Sequence, residues 1–363
     1  MSAATCEKFE PLPCQQVEVW NVRPADELAH HRAELFASQE GLERLRQAFP
    51  KELDGAETLA PAGEMLEIWN AEHERISRRV AEKPLTNTSA PEAFIDFFED
   101  YRPYDEIEAF MDMVLLEHSE IASPFELPGV TREGRVMRGI AFSTGIGDPN
   151  KPAMYVQGSA HANEWLGTMA AMYTIRQLVE GWQAGNSQIV NILSSSTIYL
   201  VPVLNVDGYL WTFADGGTRN WRKNRRDNGD GSFGVDLNRN NGPEETWCTA
   251  GSSTNPSSNT FCGPSVFSEP EDRAMSDFME RNPRIIAAVD FHTFGSLLLY
   301  PYQVSTEQLP EPERAVFGTR WLWMHHIKNP TKRKNIVAWA RELNLSGYSK
   351  PGYPGVGGRS CPA

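Results

Sequence analysis

From about Pro91 to Gln303 the chain alternates short β-branched or aromatic runs with longer amphipathic ones, an order that few architectures accommodate. The expected strands are Val136–Phe142, Ala153–Gln157, Ile198–Leu204, Ile285–Phe291 and Leu297–Tyr300, each bounded by Gly, Pro, Asp or Asn. The expected helices are Tyr104–His118, Glu164–Trp182 and Glu269–Arg281. Ser268-Glu-Pro-Glu271 reads as a capping box opening the last of them, with its proline tolerated in the first turn. This alternation calls for an α/β fold, with a largely buried, mixed or parallel sheet covered by helices. Ligands of such folds gather in the loops at strand ends.

The flanking regions differ in character. Residues 1 to about 88 are rich in Glu, Ala, Arg and Leu and read as a mainly helical extension. Ala25–His31 and Gly41–Gln47 have helical periodicity, and Val17–Trp20 reads as a short strand. Lys83–Pro91 reads as an exposed linker, in which Asn87-Thr-Ser89 is a glycosylation sequon if the chain is secreted. Residues 318–363 form a basic tail, where Arg320, Lys328, Lys332, Arg333, Lys334, Arg341, Lys350 and Arg359 face the single acid Glu342. With 363 residues the chain has room for one large domain, expected over 91–317, beside these segments.

The chemistry sits at two strand ends. His161-Ala-Asn-Glu164 follows the run Met154–Gln157, and Asp290-Phe-His292 closes the run that begins at Ile285. Two imidazoles and a carboxylate, with a fourth position open to water, make a catalytic zinc set and point to metal-assisted hydrolysis. His-x-x-Glu alone says little. His31-Arg-Ala-Glu34 repeats the spacing inside what reads as a polar surface helix, with no strand before it. Between the two groups lie Asn205-Val-Asp-Gly-Tyr209, Arg219-Asn-Trp-Arg-Lys-Asn-Arg225 and Gly234-Val-Asp-Leu-Asn-Arg-Asn240. Taken alone, the Arg/Lys cluster is a solvated face or a phosphate patch. Beside a metal, fixed guanidiniums suit gripping a carboxylate and stabilising an oxyanion.

Taken in order, these motifs, with Pro202-x-x-Asn205, Trp221-Arg-Lys-Asn224, Ser268-Glu-Pro-Glu271 and Leu298-Leu-Tyr-Pro301, resemble the M14 zinc carboxypeptidases of the carboxypeptidase A/B type over roughly Pro91 to Pro312. The resemblance implies an α/β/α sandwich and one Zn2+ per chain held by His161, Glu164 and His292. It implies Arg222 as the residue that polarises the scissile carbonyl and binds substrate. Asn238 and Arg239 would hold the substrate's terminal carboxylate, Asp236 would orient His161, and Thr293 and Phe294 would line the cleft. The implied reaction is hydrolysis of the C-terminal peptide bond of peptides and proteins by zinc-activated water. The implied setting is extracellular, although no signal peptide is visible, and the implied state is a monomer. Residues 15 to 85 have the position and length of an inhibitory pro-segment, with an unrelated helical extension as the alternative.

Two departures stand out. Asn163 lies between the ligands where the family often has Arg. The family's general-base glutamate, in a Phe-x-x-Glu-Leu-Arg context, is not recognisable after His292; Glu342, in Ala340-Arg-Glu-Leu-Asn344, is a faint echo. The alternatives are therefore a zinc- and peptide-binding pseudoenzyme or truncated product without the base, and an amidohydrolase acting on N-acyl amino acids. A net charge of -14 disfavours nucleic acid and anionic membrane as partners, and no apolar run approaches a membrane span. Cys248 and Cys262 bracket a Ser/Asn/Thr-rich loop, as a local disulfide or as two free thiols.

Overall fold

The computed structural model describes residues 17–23, 32–37, 39–51, 62–82, 97–244, 247–249, 251–293, 323–324, 348–349 and 355–358. Outside the described residues lie the expected helix Ala25–His31, the linker with its sequon, the strand Leu297–Tyr300, Phe294, Glu342 and most of the basic tail. The chain divides into two units, Met1–Thr293 and Phe294–Ala363. The first opens with β1 (Val17–Arg23) antiparallel to β2 (Arg32–Ala37), followed by α1 (Gln39–Ala48) and α2 (Ala62–Glu82). The segment around Glu34 is therefore a strand, not the polar helix its composition implies. Its alternating residues are registered against β1, Leu35 opposite Val19 and Ala37 opposite Val17, and this pairing outweighs helix propensity.

The main body then runs α3 (Tyr104–Glu117), β3 (Ala122–Glu126), β4 (Arg138–Phe142), β5 (Ala153–Gly158), α4 (Trp165–Gln183), α5 (Ser187–Ser195), β6 (Thr197–Val201), α6 (Val206–Phe213), a 3-10 turn (Leu237–Arg239), α7 (Pro270–Arg281) and β7 (Ile285–Phe291). The sheet order is β3-β4-β6-β5-β7. The β3/β4 and β4/β6 pairs are antiparallel, while β5 runs parallel to both β6 and β7. This is the mixed, helix-flanked sheet expected. Strand β3 was not expected because Pro124 interrupts its pattern; as an edge strand, paired among the described residues with β4 alone, it tolerates the missing N–H. In the second unit, β8 (Trp323–Met324), β9 (Tyr348–Ser349) and β10 (Gly355–Gly358) pair antiparallel in the order β8-β10-β9. Among the described residues no helix is long and apolar enough to cross a membrane.

Packing obeys sequence periodicity. Helix α4 buries Thr168, Ala171, Met172, Ile175, Leu178 and Val179, a stripe at helical spacing, and packs along β5, β6 and β7. Each large apolar side chain so buried contributes about 1.5–3 kcal/mol. Phe278 of α7 packs against Phe125, Tyr155 and Tyr199. Ile76 joins α2 to the core, and Arg79 of α2 reaches Glu106 at 3.1 Å. Gly167 sets how closely two elements approach. A Cβ there would lie 2.5 Å from the Phe291 carbonyl oxygen, so only glycine lets the start of α4 meet the end of β7.

The start of α7 departs from the expected capping box. Glu269 is its N-cap but makes no side-chain cap bond. Its carboxylate instead accepts from Arg132, Asn224 and Arg226, and Ser268 Oγ donates to it at 2.8 Å. Beside it, the fully buried Glu271 accepts from Asn224 Nδ2 at 3.2 Å. Burial, aided by the charges of Glu269 and Asp207 and opposed by local hydrogen bonds, pushes the Glu271 carboxyl up to about 7. The folded state then binds its proton more tightly than the unfolded chain. Its contribution is full below the usual carboxylate range and is lost as pH rises through the folded value. Glu271→Gln should therefore melt close to wild type at pH 4 and above it at pH 8, by on the order of 3 kcal/mol at about 1.4 kcal/mol per pH unit. Parallel melting curves at pH 4 and pH 8 for the two proteins would contradict this.

Candidate metal centre

The ends of two parallel neighbours, β5 and β7, build the site. After β5, Ser159 adopts a left-handed backbone with φ 56°, which turns the chain into the segment that carries His161. Asn205 supports this turn: its N–H donates to the Ser159 carbonyl at 3.0 Å and its Nδ2 to the Ala160 carbonyl at 3.3 Å. Glu164 is the N-cap residue of α4, and its carboxylate turns away from the helix amides. It still gains from the positive helix end. His292 comes directly after the last residue of β7.

These three side chains converge. His161 Nδ1 lies 2.9 Å from Glu164 Oε1, and His292 Nδ1 lies 3.0 Å from His161 Nδ1 and 3.1 Å from Glu164 Oε2. Their candidate donor atoms all fall within 4.8 Å of one another. The Thr293 N–H donates to Glu164 Oε2 at 2.7 Å and fixes that carboxylate. Each imidazole has a carboxylate behind it. His161 Nε2 is 3.1 Å from Asp236 Oδ1, and His292 Nε2 is 2.9 Å from Asp290 Oδ2. Those carboxylates assign the ring proton to Nε2, so two Nδ1 lone pairs face one another with an anion beside them. A cation resolves that arrangement, and two nitrogens plus one carboxylate oxygen are the donors a zinc ion takes.

The electrostatics agree with an anionic, cation-seeking centre. Burial alone would raise Glu164, but hydrogen bonds and charge from His161 and His292 hold it well below the usual carboxylate range. Burial likewise opposes ionisation of Asp236, yet Arg222 and His161 keep it far below that range. His292 would be lowered by burial; its bonds to Asp290 and Glu164 outweigh this and push it up to about 10.

The Arg/Lys cluster is neither a solvated face nor a phosphate patch. Arg219 donates to Glu72 and to the Asn163 carbonyl and lies 3.5 Å over the Trp165 ring. Lys223 Nζ donates to the Pro256 carbonyl, and Arg226 pairs with Glu269. Arg225 is held among Trp211, Trp221 and Phe233. Arg222 donates twice to Asp236, at 3.1 and 3.0 Å, and its Nη1 reaches 3.4 Å from Glu164 Oε1, at the edge of the donor set. Asp236 also accepts the Asn238 N–H at 2.9 Å, so one buried carboxylate ties His161, Arg222 and the Asn238-Arg239 turn together. Asn163, between the two candidate ligands, donates to Asn220.

Cys248 and Cys262 form a disulfide with Cα atoms 5.5 Å apart. The loop it closes bears on Arg239, whose Nε donates to the Gly251 carbonyl at 2.8 Å. Reduction should cost about 3 kcal/mol for a loop of this length. If Arg239 holds a substrate carboxylate, reduction should also raise KM more than it lowers kcat. A melting temperature and KM unchanged by reductant would refute both parts.

Two roles were not expected from the motifs, the contact of the Asp290 side chain with His292 and that of the Thr293 amide with Glu164. Spacing of two along a strand was the available signal for Asp290; nothing local marks a backbone amide. Asp207 and Tyr209, which belong to the motifs that carry the resemblance, have structural partners. Asp207 accepts from Thr131, Glu133 N and Arg135, and Tyr209 donates to the Arg102 carbonyl.

Comparison with known proteins points to one family. A family model described as zinc carboxypeptidase matches residues 107–344. Carboxypeptidase O of Bos taurus is 34% identical over 207 residues, 56% of this chain and 53% of its own length. Carboxypeptidase B of Homo sapiens is 33% identical over 207 residues, 56% of this chain and 48% of its own. The chain thus spans about half the length of the curated relatives it matches. The crystal structure of carboxypeptidase A from Helicoverpa armigera superposes with a TM-score of 0.63 at 28% identity, covering 83% of this chain and 68% of that one. With its family match and its donor set of two histidines and a glutamate at the ends of neighbouring strands, the chain belongs to the zinc carboxypeptidase family.

Proposed function

We propose that the protein is a metallocarboxypeptidase that removes C-terminal residues from peptides and proteins. The observation that carries this reading is the convergence of His161, Glu164 and His292 beside Arg222. A bound zinc would supply Lewis acidity toward the scissile carbonyl and lower the pKa of a water. In this reading Asn238 and Arg239 anchor the substrate's terminal carboxylate, a task suited to a guanidinium fork. Arg222, fixed by Asp236, offers Nη1 to the carbonyl oxygen as charge develops there. Asp236 keeps the proton of His161 on Nε2 and leaves Nδ1 as a donor. Glu342, inside the matched residues 107–344, is the first residue to replace in a search for the general base. An extracellular setting is part of the proposal, and the disulfide supports it.

The test is hydrolysis of a blocked dipeptide with a free C-terminus by protein of verified zinc content, with and without chelator. Chelator-sensitive turnover is expected. Zinc-loaded protein inert toward both apolar and basic C-terminal residues would overturn the reading.

A further inference from the structure

The third ligand has a positioning residue of its own. We propose that Asp290 holds His292 in the tautomer and orientation that turn Nδ1 toward the metal, and thereby sets the affinity of the centre for zinc. The inference rests on the metal-site reading of His161, Glu164 and His292. Asp290 and His292 are two apart at the end of β7, where side chains of alternate residues share a face. The carboxylate meets Nε2 at 2.9 Å, while Nδ1 lies 3.0 Å from its counterpart on His161. The acid stands on the strand itself, in register with Gln157 of β5, so the pair is carried by a rigid element.

The two orienting carboxylates are not equivalent. Asp236 is fully buried and divides itself among His161, Arg222 and the Asn238 amide. The Asp290 side chain is 32% exposed and its carboxylate is directed at His292. His292 is itself 30% exposed, so packing restrains its ring less than that of His161, at 4%. Orientation of His292 therefore depends more on one hydrogen bond, and that bond is Asp290's.

The test is a competition titration of zinc against a chromophoric chelator on the full chain, comparing wild type, Asp290→Ala, Asp290→Asn and His292→Ala. Loss of an orienting partner of this kind typically weakens metal binding by about 10- to 100-fold. That loss is expected for Asp290→Ala. Asp290→Asn, whose amide oxygen accepts the same bond without the charge, should lose less. Melting of the metal-free proteins should be unchanged, and the visible spectrum of the cobalt-substituted protein should shift in Asp290→Ala. Wild-type affinity in Asp290→Ala, or an affinity loss matched by an equal loss of metal-free stability, would overturn the inference. The parent reading fails separately, if wild type binds no zinc or if His292→Ala retains it.

Discussion

His161→Ala protein is expected to carry no stoichiometric zinc. The side chain is 4% exposed and offers one of the three candidate donors, so its loss leaves Glu164 and His292 as the two that remain among the described residues. Three protein ligands are the usual complement of a catalytic zinc site. The loss is also electrostatic. Asp236 is fully buried, and His161 is one of the partners that keep it ionised. Removing a partner from a buried group costs on the order of 1–3 kcal/mol. Two measurements read these effects apart. Metal analysis after dialysis reports occupancy. Melting with and without added zinc reports linkage, because a ligand at about 1,000 times its Kd stabilises by about 4 kcal/mol. Wild type should shift upward with zinc and His161→Ala should not. Full metal content in the variant would remove the site from consideration.

If the proposed peptide hydrolysis runs with Arg222 as oxyanion donor, Arg222→Ala should lower kcat by about 100- to 1,000-fold, the usual cost of deleting one preorganised donor of that kind. The guanidinium is already aimed: two bonds to Asp236 fix its plane and leave Nη1 beside Glu164. An interaction made chiefly in the transition state lowers kcat and kcat/KM together. Arg222→Lys keeps the charge but cannot make the paired bonds to Asp236, so it should rescue little. Zinc content should persist in both variants, which separates this effect from that of His161→Ala. A raised KM at unchanged kcat would make Arg222 a clamp for bound substrate and refute the oxyanion role.

Much of this was legible in the chain itself. Strand β5 and helix α4 arise from a short apolar run and from a stripe at helical spacing, both local patterns. Elements whose signal is weak, or belongs to a partner, were not legible. Strand β3 carries a proline, and β2 becomes a strand through its pairing with β1. The capping box failed for a related reason, since Glu269 binds arginines from elsewhere in the chain in preference to its own helix end.

The sequence by itself determined the candidate donors, two imidazoles and a carboxylate at strand ends, because side-chain chemistry and local periodicity are properties of neighbours in the chain. Only the tertiary structure decided how they act together. It set the parallel register that brings His292 to His161, the Gly167 contact that lets α4 meet β7, and the choice of Asp236 for His161 and Arg222 and of Asp290 for His292. The physical reason is range: backbone preference acts over a few residues, whereas lone-pair direction and proton position depend on atoms that only the packed sheet brings within 3.1 Å.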